Sequence, residues 1–157
     1  MPKQKNIVIG LGNVFMRDEG IGVHIVRELI ARFNGKYPYI DFVDIGTAYI
    51  SILHIISGKR KAVVIDCARM GEKPGTIKRF TPKDVVSKKQ ISSLSVHEND
   101  FMAVLNLSRK LGEYPEEVVI FGIEPEKVEP GETLSVVLRK HFKDYIKVIT
   151  AELTTII

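Results

Sequence analysis

The feature that most constrains this chain is a set of short, almost uninterrupted apolar runs, each followed by a segment of different periodicity. Asn6-Ile7-Val8-Ile9-Gly10, Ile40-Asp41-Phe42-Val43-Asp44, Lys61 to Asp66 and Val118 to Ile123 all read as strands. A strand that is apolar at successive positions is buried on both faces, which happens in parallel sheets covered by helices. The intervening segments supply those helices. From Asp18 to Phe33, residues Ile21, Ile25, Val26, Leu29, Ile30 and Phe33 follow helical spacing. A short apolar helix is expected from Ala48 to Ser57, ended by Gly58, and another from Asn99 to Leu111, closed by Gly112. A long amphipathic helix begins near Thr133 and turns Leu134, Val137, Leu138, Phe142, Tyr145, Ile146 and Ile149 inward. This alternation predicts an α/β fold with a mostly parallel, twisted sheet.

The remaining segments are less regular. Gly75 to Phe80 alternates apolar and polar residues, the pattern of an edge strand open to antiparallel pairing. Pro82 to Val86 suits one helical turn. Residues 87–97 read as a polar, Ser-rich loop ending in Val96-His97. Glu124 to Gly131 holds Pro125 and Pro130 and must be a loop.

Composition narrows the function classes. The chain has 157 residues, enough for one domain spanning 1–157, and 45% are hydrophobic, enough for a single core. Its net charge of +4 is spread among acidic residues, and the densest basic run is Lys59-Arg60-Lys61. That is a solvated surface and not a nucleic-acid footprint, so no nucleic-acid partner is expected. The single cysteine, Cys67, excludes an internal disulfide and a Cys-rich zinc site. No apolar run approaches the ~20 residues of a membrane span. The polar start, Met1 to Asn6, lacks the features of a secretory signal. A cytoplasmic location is expected.

In open parallel sheets, ligands bind beyond the carboxyl ends of the strands. Acidic residues stand at three such ends: Glu19 after the first strand, Asp44 at the end of the second, Asp66 at the end of the third. Their convergence on one edge is costly without a cation. Each has an ordinary alternative. Glu19 also suits a carboxylate at a helix start, and Asp66 suits a cap on the turn after its strand. His97 in its polar loop reads equally as incidental; His24, His54 and His141 lie in helical stretches and read as surface or packing residues. Two carboxylates and an imidazole form a borderline-hard donor set suited to zinc, nickel, iron or manganese.

Other chemistries find no support. Gly10-Leu11-Gly12 opens like a dinucleotide fingerprint, but Phe15 stands at the third glycine position. No GxSxG elbow, Walker loop or HExxH helix is present. Cys67 adjoins Asp66, which disfavours a thiolate, so it reads as a packing residue. Three classes of function stay open on the residues: a metallo-hydrolase, a nucleotide-binding module, and a non-catalytic partner-binding module.

Four segments resemble the hydrogenase maturation proteases. Gly10-Leu11-Gly12-Asn13 with Asp18-Glu19-Gly20-Ile21-Gly22 is similar to the family's opening signature. Asp44-Ile45-Gly46-Thr47 resembles its Asp-Gly-Gly-Thr segment, with Ile45 in place of the first glycine. Val64-Ile65-Asp66-Cys67-Ala68 resembles its strand ending in a ligand aspartate. Gly122-Ile123-Glu124-Pro125 with Gly131-Glu132-Thr133-Leu134-Ser135 resembles its last loop and helix start. The resemblance runs from Asn6 to Val148. It implies a single-domain three-layer α/β/α sandwich and a metal-dependent endopeptidase. The implied substrate is the large-subunit precursor of a nickel–iron hydrogenase, which loses a C-terminal peptide after nickel insertion. It further implies metal ligands at Glu19, Asp66 and His97, catalytic roles for Asp44, Glu19 and Asp66, and nickel supplied by the precursor, with zinc or cadmium as surrogates. A monomer without membrane attachment is expected. At Ile45, either the backbone approach is narrowed or the side chain packs inward.

Overall fold

The computed structural model describes residues 5–33, 35–87 and 96–156, with the side chains of 85–87 and 96–100 outside that description. The strands are β1 (Asn6–Leu11), β2 (Ile40–Gly46), β3 (Lys61–Cys67), β4 (Ile77–Phe80) and β5 (Glu117–Ile123). The helices are α1 (Ile21–Phe33), α2 (Ile52–Ile55), α3 (Pro82–Ser87), α4 (Val96–Lys110) and α5 (Val136–Leu153). The strands form one sheet in the order β2-β1-β3-β5-β4. β1 pairs parallel with β2 and β3, and β3 parallel with β5. β4 closes the edge antiparallel to β5, Ile77 opposite Ile123 and Phe80 opposite Ile120. The alternation expected of Gly75 to Phe80 thus belongs to an antiparallel edge strand.

Strand pleating sorts successive residues to opposite faces. Val8, Val63, Ile65, Val119 and Phe121 pack with α1 and α5, among Ile21, Ile25, Leu29, Leu138 and Ile149. Ile7, Ile9, Ala62, Val64, Val118 and Ile120 face the other way, against Tyr49, Ile52, Ile56, Phe101, Val104 and Leu105. Two cores on one sheet make the three-layer α/β/α sandwich, and they explain why these strands carry no polar alternation.

Several element ends differ from the sequence reading. α1 starts at Ile21, because Arg17–Gly20 forms a separate 3-10 turn. The helix expected over Ala48–Ser57 is a 3-10 turn, Tyr49–Ser51, followed by the single turn of α2. α5 starts three residues later than expected, where the Ser135 hydroxyl accepts from the Leu138 N–H as N-cap. Leu134 is buried just ahead of it. The largest correction concerns His97. It lies in the first turn of α4 and not in a loop. Glu98 and Asp100 follow it, and acidic residues in a first turn are favoured by the helix dipole. Residues 88–95 of the expected Ser-rich loop lie outside the described residues.

Candidate active site at the carboxyl edge of the sheet

At the carboxyl end of β1 the chain turns through Asn13, whose Oδ1 accepts from the Phe15 N–H at 2.9 Å, and enters the Arg17–Gly20 turn. Arg17 has φ of 48°, the sole left-handed non-glycine among the described residues. Such a conformation persists only where its surroundings impose it. Here the surroundings are the segment after β5. Arg17 N–H donates to the Gly131 carbonyl at 3.0 Å, and Gly131 N–H donates to the Phe15 carbonyl at 2.9 Å. The Arg17 side chain reaches on to the Thr133 carbonyl (Nε, 3.0 Å) and Glu129 (Nη1, 2.9 Å).

Glu19 lies in that turn, half-buried, with Oε1 shielded from solvent. Asp66 lies one residue before the end of β3, also half-buried, and its Oδ1 accepts from the Cys67 N–H at 2.8 Å. The first turn of α1 packs directly on the ends of β1 and β3. A Cβ on Gly22 would collide with the carbonyls of Ile65 and Leu11, so only glycine lets α1 press this closely on the ends of β1 and β3. Cys67 reports the result. Its thiol is pushed well up by burial, then by the negative charges of Asp66, Glu19 and Asp18. Cys67 therefore stays protonated, as a packing residue does.

Three acidic groups thus surround one point, but they differ in kind. Asp18, which sequence reasoning left as a helix-start acid, is fully buried. Its Oδ2 accepts from the N–H groups of Glu126 (2.9 Å) and Lys127 (2.8 Å), and its Oδ1 from Ser135 N–H (2.7 Å). Three main-chain donors compensate a carboxylate removed from water. Asp18 is committed to the fold through these bonds. Glu124, read from sequence only as part of a loop, is a second such anchor. It is 6% exposed, and its Oε1 accepts from Met70 N–H (2.9 Å) and Glu72 N–H (2.7 Å). Glu in the apolar Gly122-Ile123-Glu124-Pro125 context was the one available signal of burial.

Asp44 ends β2 on the other side of β1. Its Oδ1 accepts from Gly46 N–H at 3.0 Å, and its Oδ2 from Arg27 Nε at 2.9 Å. The left-handed residue of this turn is Gly46, φ 53°, so the turn does not need a glycine at 45. Ile45 packs inward against the second core, which settles the departure noted in the sequence. Asp44, Arg27, Thr47, Asn13 and Phe15 line a pocket of about 300 Å³. Phe15 is 63% exposed at its mouth. His24, one turn before Arg27 on α1, is held in its neutral form by burial and by Arg27, with Asp44 opposing.

Of the four site residues expected from sequence, Glu19 and Asp66 both act electrostatically on Cys67, and Asp44 lines the pocket after β1 and β2. His97 contributes a backbone position at the start of α4, its side chain being outside the described set. Among the described residues, no group of three His, Cys, Asp or Glu side chains is arranged to hold a metal ion. His54 is exposed, and His141 lies 3.5 Å from Asp144 at the surface.

The fold and this acidic edge define the protein class: an α/β/α sandwich whose ligand edge is built from the turns after β1, β2, β3 and β5. Comparison with known proteins makes it specific. A profile of the hydrogenase maturation protease (HycI) family matches residues 23–152. The chain is 30% identical over 142 residues to the hydrogenase expression/formation protein HoxM of Cupriavidus necator, covering 90% of this chain and 70% of that one. It is 31% identical over 126 residues to the hydrogenase 2 maturation protease of Escherichia coli, covering 79% and 75%. The hydrogenase maturating endopeptidase HybD of E. coli superposes with a TM-score of 0.84 over 97% of this chain and 93% of that one, at 24% identity, which speaks to the fold. This chain belongs to the hydrogenase maturation protease family. Some relatives are longer: the chain spans 55% of the HupD protein of Thiocapsa roseopersicina.

Proposed function

We propose that this chain is an endopeptidase that removes the C-terminal peptide from a nickel–iron hydrogenase large-subunit precursor after nickel insertion. Glu19 and Asp66, joined by His97 from α4, read the nickel that the substrate carries. The observation behind this reading is the pairing of two half-buried carboxylates at the carboxyl edge, around a thiol that stays protonated. Family membership supplies the class of reaction, hydrolysis of a peptide bond.

Each residue then has a task. Glu19 and Asp66 are oxygen donors on rigid turns, and a set of two carboxylates and one imidazole engages a divalent ion while leaving coordination positions for the substrate's own ligands. Asp44 has both oxygens engaged, by Gly46 and Arg27. That suits holding the substrate main chain or orienting the attacking water over taking a proton. The pocket beside Asp44, with Phe15 at its mouth, accommodates residues flanking the scissile bond. In this reading the protein acts as a monomer in the cytoplasm, with no resident metal. No described helix is long and apolar enough to cross a membrane.

The test is incubation with nickel-loaded and nickel-free precursor, followed by mass measurement of the large subunit. Loss of the C-terminal peptide only from loaded precursor, abolished by Asp66→Ala, is the expected result. Full-rate processing by Asp66→Ala, or equal processing of the nickel-free form, overturns it. Zinc or cadmium binding to the protein alone, lost in Glu19→Ala and in His97→Ala, checks the ligand set.

A further inference from the structure

The segment between β5 and α5 touches the turn that carries Glu19 and the loop that follows Asp66 and β3, and at each contact a buried carboxylate makes the joint. Asp18 and Glu19 are neighbours in the 3-10 turn, and Asp18 holds that turn to Glu126, Lys127 and Ser135. Asp18 N–H also donates to the Lys127 carbonyl at 3.1 Å. Glu124, at the other end of the segment, holds the loop that leaves Asp66, through Met70 and Glu72. Its backbone adds Glu124 N–H to the Thr76 carbonyl (2.9 Å) and Gly75 N–H to the Glu124 carbonyl (2.8 Å). Ala68 N–H donates to the Ile123 carbonyl at 2.9 Å, so the loop is fixed from its first residue.

We propose that Asp18 and Glu124 are positioning residues: acting through residues 124–135, they fix the separation of Glu19 and Asp66 and thereby set the affinity of that pair for the divalent ion presented by the substrate. This rests on the reading of Glu19 and Asp66 as nickel-sensing ligands. The argument is geometric. A ligand pair on two separate elements, here the Arg17–Gly20 turn and the end of β3, keeps its spacing only if both are tied to a common element. Residues 124–135 are that element, and the ties are charge-assisted bonds to main-chain donors, stronger than neutral ones. Supporting groups behind ligands typically change metal affinity tenfold or more when lost.

The two anchors predict opposite responses to the same chemical change. Glu124 accepts both its bonds at a single oxygen, Oε1, which glutamine can reproduce. Asp18 uses both oxygens, so asparagine turns an NH2 group toward a main-chain donor. Titration of nickel(II) into the folded full chain should therefore give a Kd near wild type for Glu124→Gln. Glu124→Ala and Asp18→Asn should each weaken it about tenfold. Precursor processing should show a raised KM in the same two variants, with kcat less affected. Ser135→Ala separates positioning from plain destabilisation. It removes the N-cap of α5 but keeps the Ser135 N–H that Asp18 accepts, so it lowers Tm and leaves the nickel Kd unchanged. If Asp18→Asn does not fold, the Glu124→Ala and Glu124→Gln pair carries the test. The proposal is overturned if Glu124→Ala binds nickel within twofold of wild type, or if Ser135→Ala weakens binding as much as the anchor variants. Wild-type protein that binds no nickel and cleaves loaded and unloaded precursor alike would instead overturn the functional reading beneath it.

Discussion

At the amino-terminal edge of the sheet, Lys61 is 3% exposed, with its Nζ 2.8 Å from Glu152 and 3.2 Å from Glu117. Arg79 adds a second cation 2.9 Å from Glu152. At the carboxyl edge, Asp18 and Glu124 are buried as deeply, yet their hydrogen-bond partners are main-chain N–H groups. The difference has a physical meaning. Counter-charges close an ion network and leave it electrically spent. Backbone donors satisfy a carboxylate without neutralising its charge, so Asp18 and Glu124 stay anionic within the fold. Arg17 directs its guanidinium to Glu129 and the Thr133 carbonyl, and Arg69 lies close enough to Cys67 to oppose the acids there. The two edges are thus distinguished by how they bury charge.

That comparison can be broken most directly at Asp18. Asp18→Ala strands three main-chain donors, and unfolding in urea should show a loss on the order of 4 kcal/mol. A loss under ~1 kcal/mol would mean the segment is not held by this carboxylate. Lys61→Met should cost less, about 2 kcal/mol, because Arg79 stays paired with Glu152 and an apolar chain fits the buried stem. If the two variants cost the same, the edges are not distinct in kind. Ser135→Ala, which touches the carboxyl edge only through the α5 cap, should cost about 1 kcal/mol.

The smallest effect is in the pH profile. The two hydrogen bonds from Arg79, against the opposing effect of burial and with the help of the one from Lys61, hold the Glu152 carboxyl below the usual carboxylate range. A depressed folded value gives stability that is full above the unfolded pKa of about 4.5 and is lost as pH falls through the folded value. Glu152→Gln should flatten the acid limb of a Tm-versus-pH curve without moving its neutral plateau by a comparable amount. An unchanged acid limb would remove the linkage.

Much of the frame was legible in the chain itself. Continuous apolar runs named β1, β3 and β5 because burial on both faces leaves no room for polar alternation, whereas β2, at the sheet edge, keeps Asp41 and Asp44 and is only half-buried. Gly75 to Phe80 gave itself away as an edge because half its residues are polar. Glu19, Asp66 and Asp44 are candidates by the rule that ligands gather at strand carboxyl ends. The errors were local. His97 was read into a loop, since its position depends on where α4 nucleates, and the helical signal of Glu98 and Asp100 is weak beside the Ser-rich run before it. The single-turn α2 was read as longer, because apolar residues Ile52 to Ile56 continue the pattern past the point where the hydrogen bonds stop.

What the sequence determined by itself was the α/β class, the strand set and the edge on which chemistry gathers, all consequences of residue type and period. The tertiary structure alone decided which acid does what. Asp18 and Glu19 are adjacent and chemically alike, and nothing in their order tells them apart. The left-handed Arg17 and the return of residues 124–135 place three N–H donors on Asp18 and none of them on Glu19's carboxylate, because a buried carboxylate must be satisfied by groups distant in sequence.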